Sequence, residues 1–254
     1  MRMEKRRRWF AALVLLCVLV IAFACFPARF PSGTDLMLRL RGKATVSDRL
    51  AEYGPAVRAR WQPYFAAKGV AYPPQKVLLV GLKREKQLQV YAAGAGQPWQ
   101  LIRAFPIQRL SGKMGPKLRQ DDYQVPEGFY RVASLNPNSA FHLALRVDYP
   151  NGFDRAQAQR DGRTDLGGNI MIHGSDASAG CLAMGDRTAE DLFVLAAETG
   201  PENVAVLLSP VDFRVSRVPD DAERPTWVGG LYAEIQTALQ KLPLNEGRTH
   251  GTTG

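Results

Sequence analysis

The chain has 254 residues and a formal net charge of +9, with 46% hydrophobic and 22% charged residues. That length suits one ordinary domain with appendages, and the composition excludes wholesale disorder. Three cysteines are too few for a disulfide framework, and without a C-x-x-C pair a cysteine-rich zinc site is excluded too.

The charge is unevenly spread. Arg2, Lys5, Arg6, Arg7 and Arg8 against Glu4 give the first eight residues +4, leaving +5 for all the rest. Behind this cluster, Trp9 to Phe26 is an 18-residue run without a charge, the pattern of a secretory signal or an N-terminal membrane anchor. Ala22-Phe23-Ala24 suits cleavage before Cys25. The run is also long enough for an uncleaved anchor, since ~17 to 25 residues span a bilayer. Lipidation of Cys25 is a third option, for which Phe23 is a poor fit. Residues 1–26 are therefore expected to be a signal peptide or anchor, the anchor preferred. Each option sends residues 27–254 across the membrane.

Residues 27–46, with Pro27, Pro31, Gly33 and Gly42, read as a tether. Leu50, Tyr53, Val57, Trp61 and Phe65 recur near a 3.6-residue period and predict a helix capped by Ser47 or Asp48. Gly54-Pro55 leaves one helix or two open, and residues 27–75 are taken as linker and helical segment. From Lys76 the period changes: Val77–Leu82, Leu88–Tyr91 and Trp99–Phe105 predict a meander of strands. Residues 111–128 form a long Gly/Pro/Lys loop, and loops of that length commonly serve function. Strands are predicted at Phe129–Ala133, at Phe141–Asp148 with Phe141, Leu143, Leu145 and Val147 on the apolar face, and at Asn169–His173. Residues 151–168 are polar and Gly-rich. A helix over Thr188–Thr199 capped by Asp186 or Thr188, a strand at Val204–Leu208 and a helix over Trp227–Leu242 complete a mostly β (α+β) domain with peripheral helices. The core domain is expected at 76–212, with a C-terminal helix and flexible tail at 213–254.

Outside the apolar run one cysteine remains, Cys181, in Ser178-Ala179-Gly180-Cys181-Leu182-Ala183-Met184. Ser and Gly suit a turn more than a packed strand interior, and a lone thiol there is either an inert small hydrophobe or a reactive group. His173 ends a predicted strand eight residues earlier and can fold back to face it. A free thiol is mostly protonated at neutral pH, so a nucleophilic cysteine needs a base such as this imidazole. The backbone N–H groups of Gly180 and Cys181 could then hold an oxyanion while His173 protonates a leaving amine.

The stretch His173-Gly174, then Ser178-x-Gly180-Cys181-x-Ala183-Met184, resembles the signature of L,D-transpeptidases with the YkuD-type catalytic domain. Gly112-x-x-Gly115-Pro116-Lys117, Pro126-Glu127-Gly128-Phe129-Tyr130, Asn136-Pro137-Asn138-Ser139 and Tyr149-Pro150-Asn151 resemble the YafK-like branch of that family. The resemblance covers roughly residues 76–210. It implies a β-sandwich or barrel-like fold, a cysteine nucleophile and action on peptidoglycan stem peptides in the bacterial periplasm. Most members carry His just before Gly-Cys and Arg two residues after the Cys. Ala179 and Ala183 stand there in this chain, which leaves His173 as the base and removes a cation that could hold a substrate carboxylate. Val125 stands where Thr commonly precedes Pro-Glu-Gly.

The expected function is acyl transfer from a tetrapeptide stem through a Cys181 thioester to an amine acceptor, forming a cross-link or attaching an envelope protein. The alternatives are a hydrolase that trims stems or releases a linked protein, and a catalytically silent wall-binding scaffold. Tyr149, Asn151, Arg155, Ser178 and His142 are candidate substrate contacts, although a strand histidine and a Tyr-Pro-Asn-Gly turn have ordinary structural uses. Lys113, Lys117 and Arg119 could meet substrate carboxylates or form a solvated basic loop. With three histidines, one of them His250 in the tail, no metal or other cofactor is expected. No basic stripe interleaved with aromatics points to nucleic acid. The expected partners are peptidoglycan stem peptides and the inner membrane through residues 9–26.

Overall fold

A computed structural model describes Met37, residues 40–219, Asp221 and residues 223–244. The apolar run at 9–26, with its anchor, signal and lipidation expectations, lies outside these residues, as does the tail from 245. Among the described residues no helix is long and apolar enough to cross a membrane. The chain divides into two units, Met1–Lys43 and Ala44–Gly254, and the elements below belong to the second.

Helix α1 runs unbroken over Val46–Ala67 with Pro55 and Pro63 inside it. Its N-cap is Thr45, whose hydroxyl accepts from Asp48 N–H while the Asp48 carboxylate accepts from Thr45 N–H. This reciprocal capping box moves the start ahead of the predicted Ser47 or Asp48. A proline inside a helix costs about 3 kcal/mol. For two prolines that is roughly 6 kcal/mol, and burial of Val57, Trp61 and Phe65 on one face, each worth roughly 1.5–3 kcal/mol, offsets it.

The meander is β1 (Lys76–Leu82), β2 (Gln87–Ala93) and β3 (Gln100–Pro106), paired antiparallel in sequence order. There follow β4 (Arg109–Leu110), β5 (Gly128–Ser139), β6 (His142–Val147), helix α2 (Gly152–Arg160), β7 (Met171–His173), β8 (Leu182–Ala183), helix α3 (Asp186–Thr199), β9 (Val204–Ser209) and helix α4 (Val228–Gln240). The sheet order is β3-β2-β1-β9-β5-β6-β7-β8-β4. Its two edge strands, β3 and β4, are consecutive in the chain and separated by Ile107 and Gln108 alone. Two residues span under about 10 Å, so the sheet must curl until its edges meet. Ile107 N–H donates to Lys86 O on one side of this seam and Gln108 N–H to Ala183 O on the other. The result is a mostly β, barrel-like sheet with helices around it.

Apolar runs in β1 and β9 are continuous because both faces are covered. Val77 and Leu79, with Val204, Val206 and Leu208, join α1 and α3 in one core. Val80, Leu82 and Leu207 join α4 in another. Trp61 ties α1 to α3 by donating from Nε1 to Asp191 O at 3.0 Å, and Arg60 reaches the Asp191 carboxylate at 2.6 Å.

Three local expectations are corrected. Residues 151–168 contain α2, capped by Asn151. Helix α3 begins at Asp186 after Gly185, with no side-chain cap. Phe141 lies outside β6, in the β5–β6 turn, because His142 takes a left-handed φ of 70° that breaks the alternation.

Candidate active site

Strands β7 and β8 run parallel, with Ile172 opposite Leu182 and His173 opposite Ala183. Extending that register puts Met171 opposite Cys181. Side chains of one parity share a face, so His173 and Cys181 project together while Ile172 and Leu182 enter the core. Ideal strand spacings put their α-carbons about 8 Å apart, within reach of an imidazole and a thiol.

The imidazole of His173 is buried, and its Nδ1 lies 2.6 Å from Gly174 O. A carbonyl can only accept, so Nδ1 carries the proton and Nε2 is the basic atom of the neutral ring. Burial holds its pKa below the ordinary histidine value, opposed by the bond to Gly174 O. The thiol of Cys181 is directed to Asn169 O at 3.6 Å. Burial pushes its pKa up, opposed by the Met171 backbone N–H and by the Lys117 charge. Both shifts, lowering the imidazole and raising the thiol, disfavour the charged forms of the two groups.

The turn before Cys181 is held from a distant loop. Gly180 has φ 95°, and a Cβ there would sit 3.2 Å from Gln124 O, which accounts for the glycine. Its N–H, expected to be free for an oxyanion, donates instead to Ser111 Oγ at 2.6 Å. Ser111 in turn donates to Tyr123 O at 2.8 Å. Ser178 donates to Cys181 O at 2.7 Å and so braces the Cys181 peptide. Ser111 opens the 111–128 loop, and only that loop's unusual length hinted at its involvement.

The loop itself rests on a buried ion pair. Lys83, at the end of β1, donates from Nζ to Glu127 Oε1, Gly115 O and Val125 O at 2.8–2.9 Å. Gly115 N–H and Tyr232 OH from α4 supply the remaining bonds to the Glu127 carboxylate. Lys117 is likewise committed, to Asp122 at 2.6 Å and to Arg119 O. Lys113 and Arg119 line a cleft of about 670 Å³ whose other charged residues are Arg163, Arg224, Asp121, Asp122, Asp221 and Glu223, and to which neither Cys181 nor His173 contributes.

Four of the candidate substrate contacts have structural work elsewhere. Tyr149 is buried and donates to Lys117 O and Leu166 O. Asn151 caps α2 and donates to Phe129 O. Arg155 turns back onto Pro150 O. His142 pairs with Glu190 at 3.2 Å, edge-on to Tyr53. Tyr, Asn and Arg after a strand end were consistent with a binding loop, but the turn and the helix cap consume them.

Residues 70–206, more than half of the chain, match the family model of the YkuD L,D-transpeptidase catalytic domain. The chain belongs to that family. Escherichia coli (strain K12) YafK, provisionally named an L,D-transpeptidase, is 37% identical over 113 residues, and the match covers 44% of this chain and 43% of YafK. The matched stretch thus spans less than half the length of this curated relative. Among solved structures, the helical cell shape determining protein Pgp2 from Campylobacter jejuni aligns with TM-score 0.44 and 23% identity over 57% of this chain and 50% of that one. Bdellovibrio bacteriovorus Bd1075 aligns with TM-score 0.39 and 19% identity, over 65% of this chain and 55% of its own.

Proposed function

We propose that the chain is an exported peptidoglycan L,D-transpeptidase, with Cys181 as nucleophile and His173 as general base and acid. The observation that carries the reading is the β7–β8 register, with Cys181 and His173 on one face and Nδ1 of the imidazole already engaged. Nε2 would take the thiol proton as sulfur attacks the carbonyl of the third residue of a tetrapeptide stem. Burial disfavours the charged form of each group, so proton transfer would accompany the attack. The tetrahedral oxyanion needs donors; the Gly180 N–H serves once Ser111 yields it. Collapse breaks the C–N bond, His173 returns its proton to the departing D-alanine amine, and a thioester remains. An amine acceptor then attacks the thioester and gives a proton to His173, and the thiolate leaves and is reprotonated. The basic segment and apolar run at 1–26 support a periplasmic location with an inner-membrane anchor, and the YafK match supports a cell-wall role.

Incubating the full chain with purified tetrapeptide muropeptides and weighing the products tests this. Cross-linked dimers with release of D-alanine are expected, and C181A and H173A should each lose at least about 100-fold in rate. Shortened monomers would assign water as the acceptor at the same site. A C181A chain that keeps the full cellular effect would make the protein a scaffold and overturn the enzymatic reading.

A further inference from the structure

One aromatic ring lies on the proposed base and has no part in the chemistry above. Phe141, in the β5–β6 turn, stacks on the His173 imidazole with centroids 4.7 Å apart and planes at 27°. It is 42% exposed, so core packing does not account for its position. The turn is built to hold it there. Phe141 N–H donates to Ser139 Oγ at 3.0 Å. The neighbouring His142 is tied to Glu190 of α3 and lies edge-on to Tyr53 of α1. Gly174 N–H donates to Leu143 O at 3.1 Å, and a Cβ on Gly174 would fall 2.7 Å from Phe141 O. The hairpin therefore seats directly against the His173–Gly174 corner, with no room for a side chain between them.

We propose that Phe141 is a positioning residue: its ring holds the His173 imidazole in the plane where Nδ1–H reaches Gly174 O, keeping Nε2 as the base. The consequence for turnover rests on the acyl-transfer reading; the tautomer does not. Tautomer is a cleaner readout than pKa here. A stacked ring excludes water, which disfavours the imidazolium, yet offers it a π face, which favours it. Other titratable groups also surround the corner: Cys181, His142, Tyr53, Asp186 and Glu190 of α3, and Lys117 of the loop. None of them imposes a ring plane by stacking on the imidazole.

The test is long-range ¹H–¹⁵N NMR of the full chain labelled at histidine, at a pH where the imidazoles are neutral, with H173Q assigning the His173 signals. Wild type should show the Nδ1–H form. In F141A the ratio of Nδ1–H to Nε2–H is expected to fall roughly threefold to tenfold, the equivalent of one aromatic pair, and F141W should restore it. Stem-peptide kcat should fall by a similar factor with KM unchanged. If F141A fails to fold, F141L, which keeps an apolar side chain but no ring, carries the same comparison. An unchanged tautomer ratio in the ringless variant, or a mixed population already in wild type, overturns the proposal. The two readings can fail separately: a shifted tautomer in a chain inert towards muropeptides keeps the positioning role and sinks acyl transfer. Turnover with an unshifted tautomer does the reverse.

Discussion

Asp154 sits at the third position of α2 with its carboxyl pushed up to about 6, chiefly by burial. Bonds from Asn151 N–H at 2.9 Å and Tyr130 OH at 3.1 Å oppose the shift. In the unfolded chain the same group ionises near the ordinary carboxylate value. Below about pH 4 both states hold the proton and the group costs nothing. Between about 4 and 6 the unfolded state releases it first, so this contribution to stability falls as pH rises. Above that range the penalty levels off at roughly 2–3 kcal/mol. The D154N amide oxygen can still accept from Asn151 N–H, at the loss of about 0.3–1 kcal/mol of helix-dipole attraction. D154N should therefore be more stable than wild type at pH 7.5 by about 1–2 kcal/mol and nearly equal at pH 4. Urea midpoints at the two pH values check this, and parallel pH dependence in both chains would refute it. Asp154 also illustrates what single residues disclose. Cys181 and His173 stand out in the sequence because a lone thiol in a turn and a histidine at a strand end are the residue types a nucleophile and its base require. Asn151 and Tyr149 were ambiguous because turn formation and ligand binding favour the same side chains.

Among the elements, the 111–127 loop lacks regular structure and is held through the buried Lys83–Glu127 pair, whose exposed fractions are 4% and 0%. Burial draws the Lys83 pKa down, and the Glu127 carboxylate opposes that. K83M would leave the Glu127 carboxylate buried with only Gly115 N–H and Tyr232 OH, a loss expected to cost about 3–5 kcal/mol. Replacing both partners in K83M/E127L removes the orphaned charge and should recover part of that loss. Chemical denaturation of the three chains measures it, and a double variant no better than K83M would contradict the argument. Because Ser111 of this loop holds Gly180 N–H, K83M should also change the alkylation rate of Cys181. Neither Lys83 nor Ser111 was legible as part of the site. Lys83 follows a strand like any solvated lysine, and its carboxylate partner is 44 residues away. Helix α1 shows the converse difficulty: Gly54-Pro55 leaves one helix or two open in the sequence, and the continuous apolar face decides for one.

Over the whole folded unit, α1 closes the core through Trp61, which is fully buried among Phe65 and Phe105 and bonded to Asp191 O. W61A removes that area and the indole donor together and should cost about 3–5 kcal/mol. W61F keeps most of the area and loses one hydrogen bond to Asp191 O, a carbonyl inside α3 that keeps its helical partner, at about 0.5–1.5 kcal/mol. Thermal or urea unfolding distinguishes them, and a W61A loss below 1 kcal/mol would mean that α1 is only peripheral. The strand runs, the helices at each end and the Cys–His signature were already legible in the linear chain. Each depends on residues a few positions apart, where periodicity and turn chemistry act. The curl of the sheet, the seam between β3 and β4 and the binding of Gly180 N–H across 69 residues were not, nor was the ring of Phe141 over His173. These follow from strand pairing and loop closure between distant segments, and a period of two or of 3.6 says which face a side chain takes without saying what will lie against it.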